Sequence, residues 1–102
     1  MADVEAKIMF FPKDGRTGPA ISGYRPNHLI RDDYLTSGEH HYYGQKIIEL
    51  GETVLGTITF ITPEAYPECL WIGKVIRIQE GSRIIGSAEI TKIFNDMLLK
   101  RG

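Results

Sequence analysis

Three histidines, one cysteine and an adjacent pair of aspartates are the residues of this 102-residue chain best suited to metal binding or catalysis. His40 and His41 are neighbours, and neighbours on a strand point to opposite faces, so they do not readily chelate one ion. No CxxC or HxxxH spacing accompanies them or His28, and such spacings are what a zinc site requires. The reading without metal is a surface pair beside Tyr42 and Tyr43. Cys69 lies between Glu68 and Leu70. A neighbouring carboxylate raises a thiol pKa, so a buried or half-buried structural cysteine is expected rather than a nucleophile. Asp32 and Asp33 fall in a turn region and alternate in direction, which suits solvating or capping a turn better than acid–base work. Gly81 and Gly86 bracket GSRIIG, but the stretch precedes a strand instead of a helix. No GK[ST] follows, so it is not a phosphate-binding loop. No enzyme and no cofactor are expected.

The basic residues make a different pattern. Lys13, Arg16, Arg25, Arg31 and Arg83 occur in or beside loops, with Tyr24 and His28 interleaved. The net charge is −1, so no global field draws the chain to nucleic acid or anionic membrane, and a polyanion site would have to be local.

These residues need elements to position them. The chain should be one domain with one core. A single cysteine rules out an internal disulfide and points to a reducing, cytoplasmic setting. The first fifteen residues carry acids before a short apolar run, unlike a signal peptide. No apolar window is long enough for a spanning helix. Residues 1–5 are expected as a frayed tail and 6–11 as a first strand, with Ile8 and Phe10 on one face. A turn-rich loop follows, then a second strand at 21–30 broken at Tyr24-Arg25-Pro26. Residues 32–38 read as a polar turn region. Residues 40–43 and 45–48 form one bent strand or two short ones around Gly44. Residues 53–60, TVLGTITF, form a strand with Val54, Gly56, Ile58 and Phe60 on one face. Residues 63–73 read as a loop folded over a barrel end.

Residues 74–94, KVIRIQEGSRIIGSAEITKIF, organise the rest. Residues 74–80 and 83–94 read as the arms of a strongly curved antiparallel hairpin, with Gly81 supplying the turn. Ile84, Ala88 and Ile90 are expected on one face, and Gly86 marks a bulge or bend. Residues 95–102 are a C-terminal extension, either one helical turn packing Met97, Leu98 and Leu99 or a disordered end.

EGSRIIGSAEITKI resembles the closing hairpin of the third, C-terminal domain of bacterial elongation factor Tu, typically worded REGGRTVGxGxVTKI. Upstream, Gly15-Arg16 to Pro19 and Ser22-Gly23-Tyr24-Arg25-Pro26 agree in order. Arg31 and Thr36-Ser37-Gly38 follow, as the family has GYRPQFxxR and a Thr-Gly turn. Glu49-Leu50-Gly51-Glu52-Thr53 stands where the family has a Pro-Gly-Asp turn. The match spans roughly residues 6 to 94. It departs at Thr17-Gly18-Pro19, where the family has His-Thr-Pro, at Gln79 for arginine and at Ser82 for the second glycine.

The resemblance implies an all-β fold, a small closed six-stranded antiparallel barrel, Greek-key-like. It also implies a translation-related role without the GTPase domain, so GTP should be neither bound nor hydrolysed. In the family this domain holds the T-stem backbone of aminoacyl-tRNA. By resemblance Arg16, Thr17, Arg25 and Asn27, with Gly81 and Ser82, would contact tRNA-like RNA. A structural role for the same segment stays open, with Arg25 pairing a buried acid such as Glu80 while Tyr24 packs. So does a protein–protein interaction module that kept the barrel without RNA binding, its surface made of Tyr42, Tyr43, Tyr66 and Trp71 where these are exposed, with Tyr66 and Trp71 as core cover the alternative. A translation-associated protein would then be the partner.

Overall fold

A computed structural model describes residues 1–12 and 18–101. Eight strands are present among the described residues: β1 Val4–Phe10, β2 Ala20–Ile21, β3 Asn27–Arg31, β4 Tyr34–Tyr42, β5 Ile47–Ile48, β6 Thr53–Phe60, β7 Val75–Glu80 and β8 Arg83–Ile93. Six of them close into a barrel in the order β1-β6-β4-β3-β7-β8, with β8 returning to β1, and β2 and β5 form a separate two-stranded sheet. Every pairing between these strands is antiparallel. Closure leaves the barrel no free sheet edge. No helix among the described residues is long and apolar enough to cross a membrane.

Alternation builds the core. Val4, Ala6, Ile8 and Phe10 of β1 point inward, as do Ile58 and Phe60 of β6 and Ile76 and Ile78 of β7. The β7–β8 hairpin turns at Gly81, whose φ is 59°. Its register shifts between Ile78 and Gln79: Ile78 faces Gly86 and Gln79 faces Ile84, so Ile85 is the extra residue. That bulge reverses the expected facing at Ile84 alone, while Ala88 and Ile90 are buried as expected. Ile85 is buried and Ile84 is exposed, because one inserted residue flips side-chain parity. At Gly86 an added Cβ would lie 2.3 Å from the Met9 carbonyl oxygen, so the curve depends on β8 passing hard against β1.

Two segments expected to be irregular are ordered parts of the barrel. The polar stretch 32–38 is mostly strand, because the β3–β4 turn needs only Asp32 and Asp33, the latter at φ 59°. Aspartate tolerates that left-handed conformation. Thr36 and Gly38 then face inward.

The expected tail at residues 1–5 is in fact anchored. β1 begins at Val4, and Asp3 is buried. The Asp3 carboxylate accepts from the Phe60 amide at 2.7 Å and from the Asn95 side-chain amide at 2.9 Å. Its carbonyl accepts from the Phe94 and Asn95 amides. The C-terminal extension continues as a single 3-10 turn, Asp96–Leu98, capped by Asn95, with Leu98 buried. Backbone bonds from the extension to Glu68 and Leu70 hold the 63–73 loop over the barrel end.

Asp3→Ala should therefore lower the urea-unfolding free energy by about 2–3 kcal/mol, since it leaves a buried amide without an acceptor. Asp3→Asn, which keeps an acceptor oxygen, should lose less. Equal stability of all three forms would contradict the clasp.

Candidate nucleic-acid interface

Residues 22–26, SGYRP, cross one end of the barrel outside any strand, yet their backbone is held. Gly23, at φ 99°, donates to the His40 carbonyl at 2.6 Å, and the Tyr24 carbonyl accepts from the His40 amide at 2.9 Å. The Pro26 carbonyl accepts from Gly38 at 3.1 Å. The Tyr24 ring tilts against Phe10, with centroids 5.9 Å apart, and its hydroxyl donates to the Glu80 carboxylate. This bond ties the strap to the end of the β7–β8 hairpin. One strand further in, Asn27 lies opposite Gln79, and the Gln79 side chain donates to the Gly81 carbonyl at 3.3 Å.

The Tyr24–Glu80 bond and the Asn27–Gln79 pair thus bring the strap to the end of the barrel where Gly81 and Ser82 turn, while the Arg25 side chain reaches to Glu39 on β4. Arg16 and Thr17 lie outside the described residues. The Arg25 side chain is 70% exposed and pairs with Glu39 at 3.1 Å. Glu39 also meets His41 at 2.9 Å. The buried partnership expected between Arg25 and Glu80 is therefore replaced. Arg25 uses Glu39 in a solvent-screened pair of the kind worth about 0–1 kcal/mol, while Glu80 takes the Tyr24 hydroxyl. Gly81 and Ser82 are exposed, and no atom lies within 4 Å of where a Gly81 Cβ would be.

The four aromatic residues considered as a partner surface do not form one. Tyr42 and Tyr66 are buried, whereas Tyr43 and Trp71 are exposed. Tyr42 shares the inward face of β4 with Thr36, Gly38 and His40, and Tyr66 closes the barrel end with its hydroxyl 2.8 Å from Thr36 Oγ1. Tyr43 sits beside Leu55, donating its amide to that carbonyl, and Trp71 belongs to the 63–73 loop.

The interior holds a polar network not foreseen from the sequence. His40 is buried instead of sitting on the surface with His41, and His28 is buried as well. Their Nε2 atoms are 2.8 Å apart. His28 Nδ1 lies 3.4 Å from the Thr36 carbonyl and His40 Nδ1 3.1 Å from the Tyr42 hydroxyl. One proton arrangement suits every atom. The carbonyl can only accept, so His28 Nδ1–H donates to it. His28 Nε2 then accepts from His40 Nε2–H, and His40 Nδ1 accepts from Tyr42.

Burial pushes the His28 pKa down to about 4, against a smaller upward pull from the Thr36 carbonyl. His40 is driven well below the ordinary range by burial, then by His28 and His41. Both imidazoles are neutral and sealed from any substrate. Their visible sign in the sequence was parity, since His28 shares a face with Ile30 and His40 shares one with Tyr42.

No group of three histidine, cysteine or acidic side chains among the described residues is placed to hold a metal. Cys69 is buried, and burial, more than any neighbouring charge, pushes its thiol pKa up. That suppresses the thiolate a nucleophile needs. No family model matches the chain.

Proposed function

We propose that this protein is a non-catalytic binding module that grips the backbone of folded, tRNA-like RNA through the barrel end where the 22–27 segment meets the Gly81–Ser82 turn. Its resemblance to the third domain of elongation factor Tu motivates the reading. The observation that carries it is the meeting of the 22–27 segment with the end of the β7–β8 hairpin, through Tyr24–Glu80 and Asn27–Gln79, from positions more than fifty apart. Arg25 offers a guanidinium able to leave Glu39 for a phosphate in a charge-assisted bond. Asn27 and the Ser82 hydroxyl offer neutral polar contacts, and the open Gly81 turn lets a phosphate approach the backbone. Contacts of this type fix a helix in place without reading bases, which suits A-form RNA. Work beside the translation machinery in the cytoplasm belongs to the same proposal.

Titration of the parent and Arg25→Ala with A-form duplex RNA at several salt concentrations tests it. The variant should bind more weakly by a similar factor whatever the RNA sequence. Its salt slope should fall by about 0.7 to 1 for the lost phosphate contact. Its folding stability should stay within about 1 kcal/mol of the parent. A parent without duplex affinity, or a variant binding as the parent does, would refute the reading.

A further inference from the structure

The β3 and β7 strands separate before either ends. Their pairing covers residues 27–29 with 77–79 only, although β3 continues to Arg31 and β7 begins at Val75. The β3–β4 ladder shifts register over the same stretch, between Leu29 and Arg31. Lys74 fills the opening from beneath: its Nζ donates to the Ile30 carbonyl at 2.9 Å and to the Cys69 carbonyl at 2.7 Å. Above this fixed cation lies a groove of about 780 Å³. Trp71 forms part of its wall and is 43% exposed. The Lys74 and Lys100 ammonium groups stand 4.6 Å and 5.1 Å from the Trp71 ring centroid. Arg31 and Arg77 are exposed on the groove's sides. Asp32, Asp33 and Glu68 also line the groove; all are exposed, which lets water and salt screen them, and Asp32 acts on the Lys74 ammonium.

We propose that this groove binds a single-stranded stretch of RNA, one base stacking on Trp71 while the flanking phosphates meet Arg31, Arg77 and Lys100. Single-strand sites combine an aromatic platform with a basic track, and both are here. The exposed Lys100 side chain can exchange the ring for a phosphate, which uncovers the indole for the base. A paired base has both faces stacked within its helix and cannot use the platform. An acidic peptide would find the cations but offers the indole no planar partner. The proposal rests on the RNA reading to the extent that both sites share one wall. The Leu29–Arg77 pair is two residues from the Asn27–Gln79 pair, or about 7 Å along the strand.

Trp71 is the sole tryptophan of the chain, so its fluorescence reports occupancy directly. The intact chain would be titrated with an oligouridylate of about eight nucleotides, with a glutamate oligopeptide of matched charge, and with duplex RNA. Saturable quenching by the oligouridylate, with none from the peptide, is expected. Arg77→Ala, an exposed site that keeps the reporter, should weaken single-strand binding by about three- to tenfold. Trp71→Ala, followed with labelled RNA and checked for folding by circular dichroism, should weaken it by about tenfold or more. Duplex binding should depend on Arg25 and not on Arg77. Absence of quenching by the oligouridylate overturns the proposal even if duplex binding persists. Equal quenching by the peptide also overturns it and assigns the groove to acidic segments. Quenching that survives while Arg25-dependent duplex binding is absent sustains the groove and rejects the hairpin-end reading alone.

Discussion

Acidification from pH 7 to pH 4 should strip much of the barrel's stability, with the loss beginning near pH 6.5. His28 and His40 are neutral in the folded core, where burial opposes a charge on either ring. A proton added to His28 Nε2 would set two N–H donors against each other across 2.8 Å. In the unfolded chain both histidines titrate near 6.5. Above that pH neither state takes a proton and stability is level. Below it the unfolded chain binds protons that the folded chain refuses, so unfolding is favoured as pH falls.

Each histidine costs about 1.4 kcal/mol per pH unit through its window. For His28 that window closes at about 4, which gives about 3 kcal/mol. His40, driven down chiefly by burial, adds a loss of the same sign. Domains of this size are stable by only about 5–15 kcal/mol, so the loss is a large share. Glu5 does not confuse the test. Its pKa is lowered from 4.5, chiefly by the Thr91 hydroxyl, so its own contribution is lost only below that pH. Urea unfolding at pH 7, 6, 5 and 4 should show the decline, and His28→Gln should flatten it by about one proton's slope. A level profile from pH 7 to pH 5 would contradict the neutral pair.

Gly86→Ala should cost about 3 kcal/mol or more, the largest effect expected from a single methyl group in this chain. Gly86 lies opposite Phe10 in the β1–β8 ladder. Its added Cβ would sit 2.3 Å from the Met9 carbonyl oxygen and 3.1 Å from Phe10 Cα, both backbone atoms that no rotamer change can move. Relief requires β1 and β8 to separate at the bend that lets the barrel close. Gly81→Ala makes the useful contrast. Gly81 has a φ of 59° but open space around it, so its substitution should cost only about 1–2 kcal/mol of left-handed strain. Denaturant unfolding of the two variants should rank Gly86→Ala well below Gly81→Ala. The reverse order would mean that the close approach carries little of the fold.

Much of this architecture was legible in the sequence because it is local. Residues 53–60 alternate cleanly and form β6 as read, and the turn at Gly81 joins the two arms expected on either side. What escaped depends on registers between distant segments. A strand's inward face is set by the partners that enclose it, so Thr36, Gly38, His40 and Tyr42 looked like a polar turn and a surface pair until β3 and β6 closed on β4. Ile84 and Ile85 exchanged roles because a bulge displaces parity by one, and a continuous apolar pair does not reveal which residue is extra.

Asp3 looked like part of a solvated tail because its partners, Phe60 and Asn95, lie fifty-seven and ninety-two positions away. At the candidate interface the residues themselves were named from the sequence, but the ion partner of Arg25 was not. Choosing Glu39 over Glu80 requires knowing that the 22–26 strap lies across β4, a long-range placement with no periodic signature.

The most direct measurement is the amide chemical-shift map of the isotope-labelled chain as A-form duplex RNA is added. If the barrel end grips RNA, salt-sensitive shifts should centre on Arg25, Asn27, Gly81 and Ser82, with little change at Tyr43 and Leu55 on the β4–β6 wall. Shifts confined to that wall, or a spectrum unmoved by RNA at low salt, would contradict it.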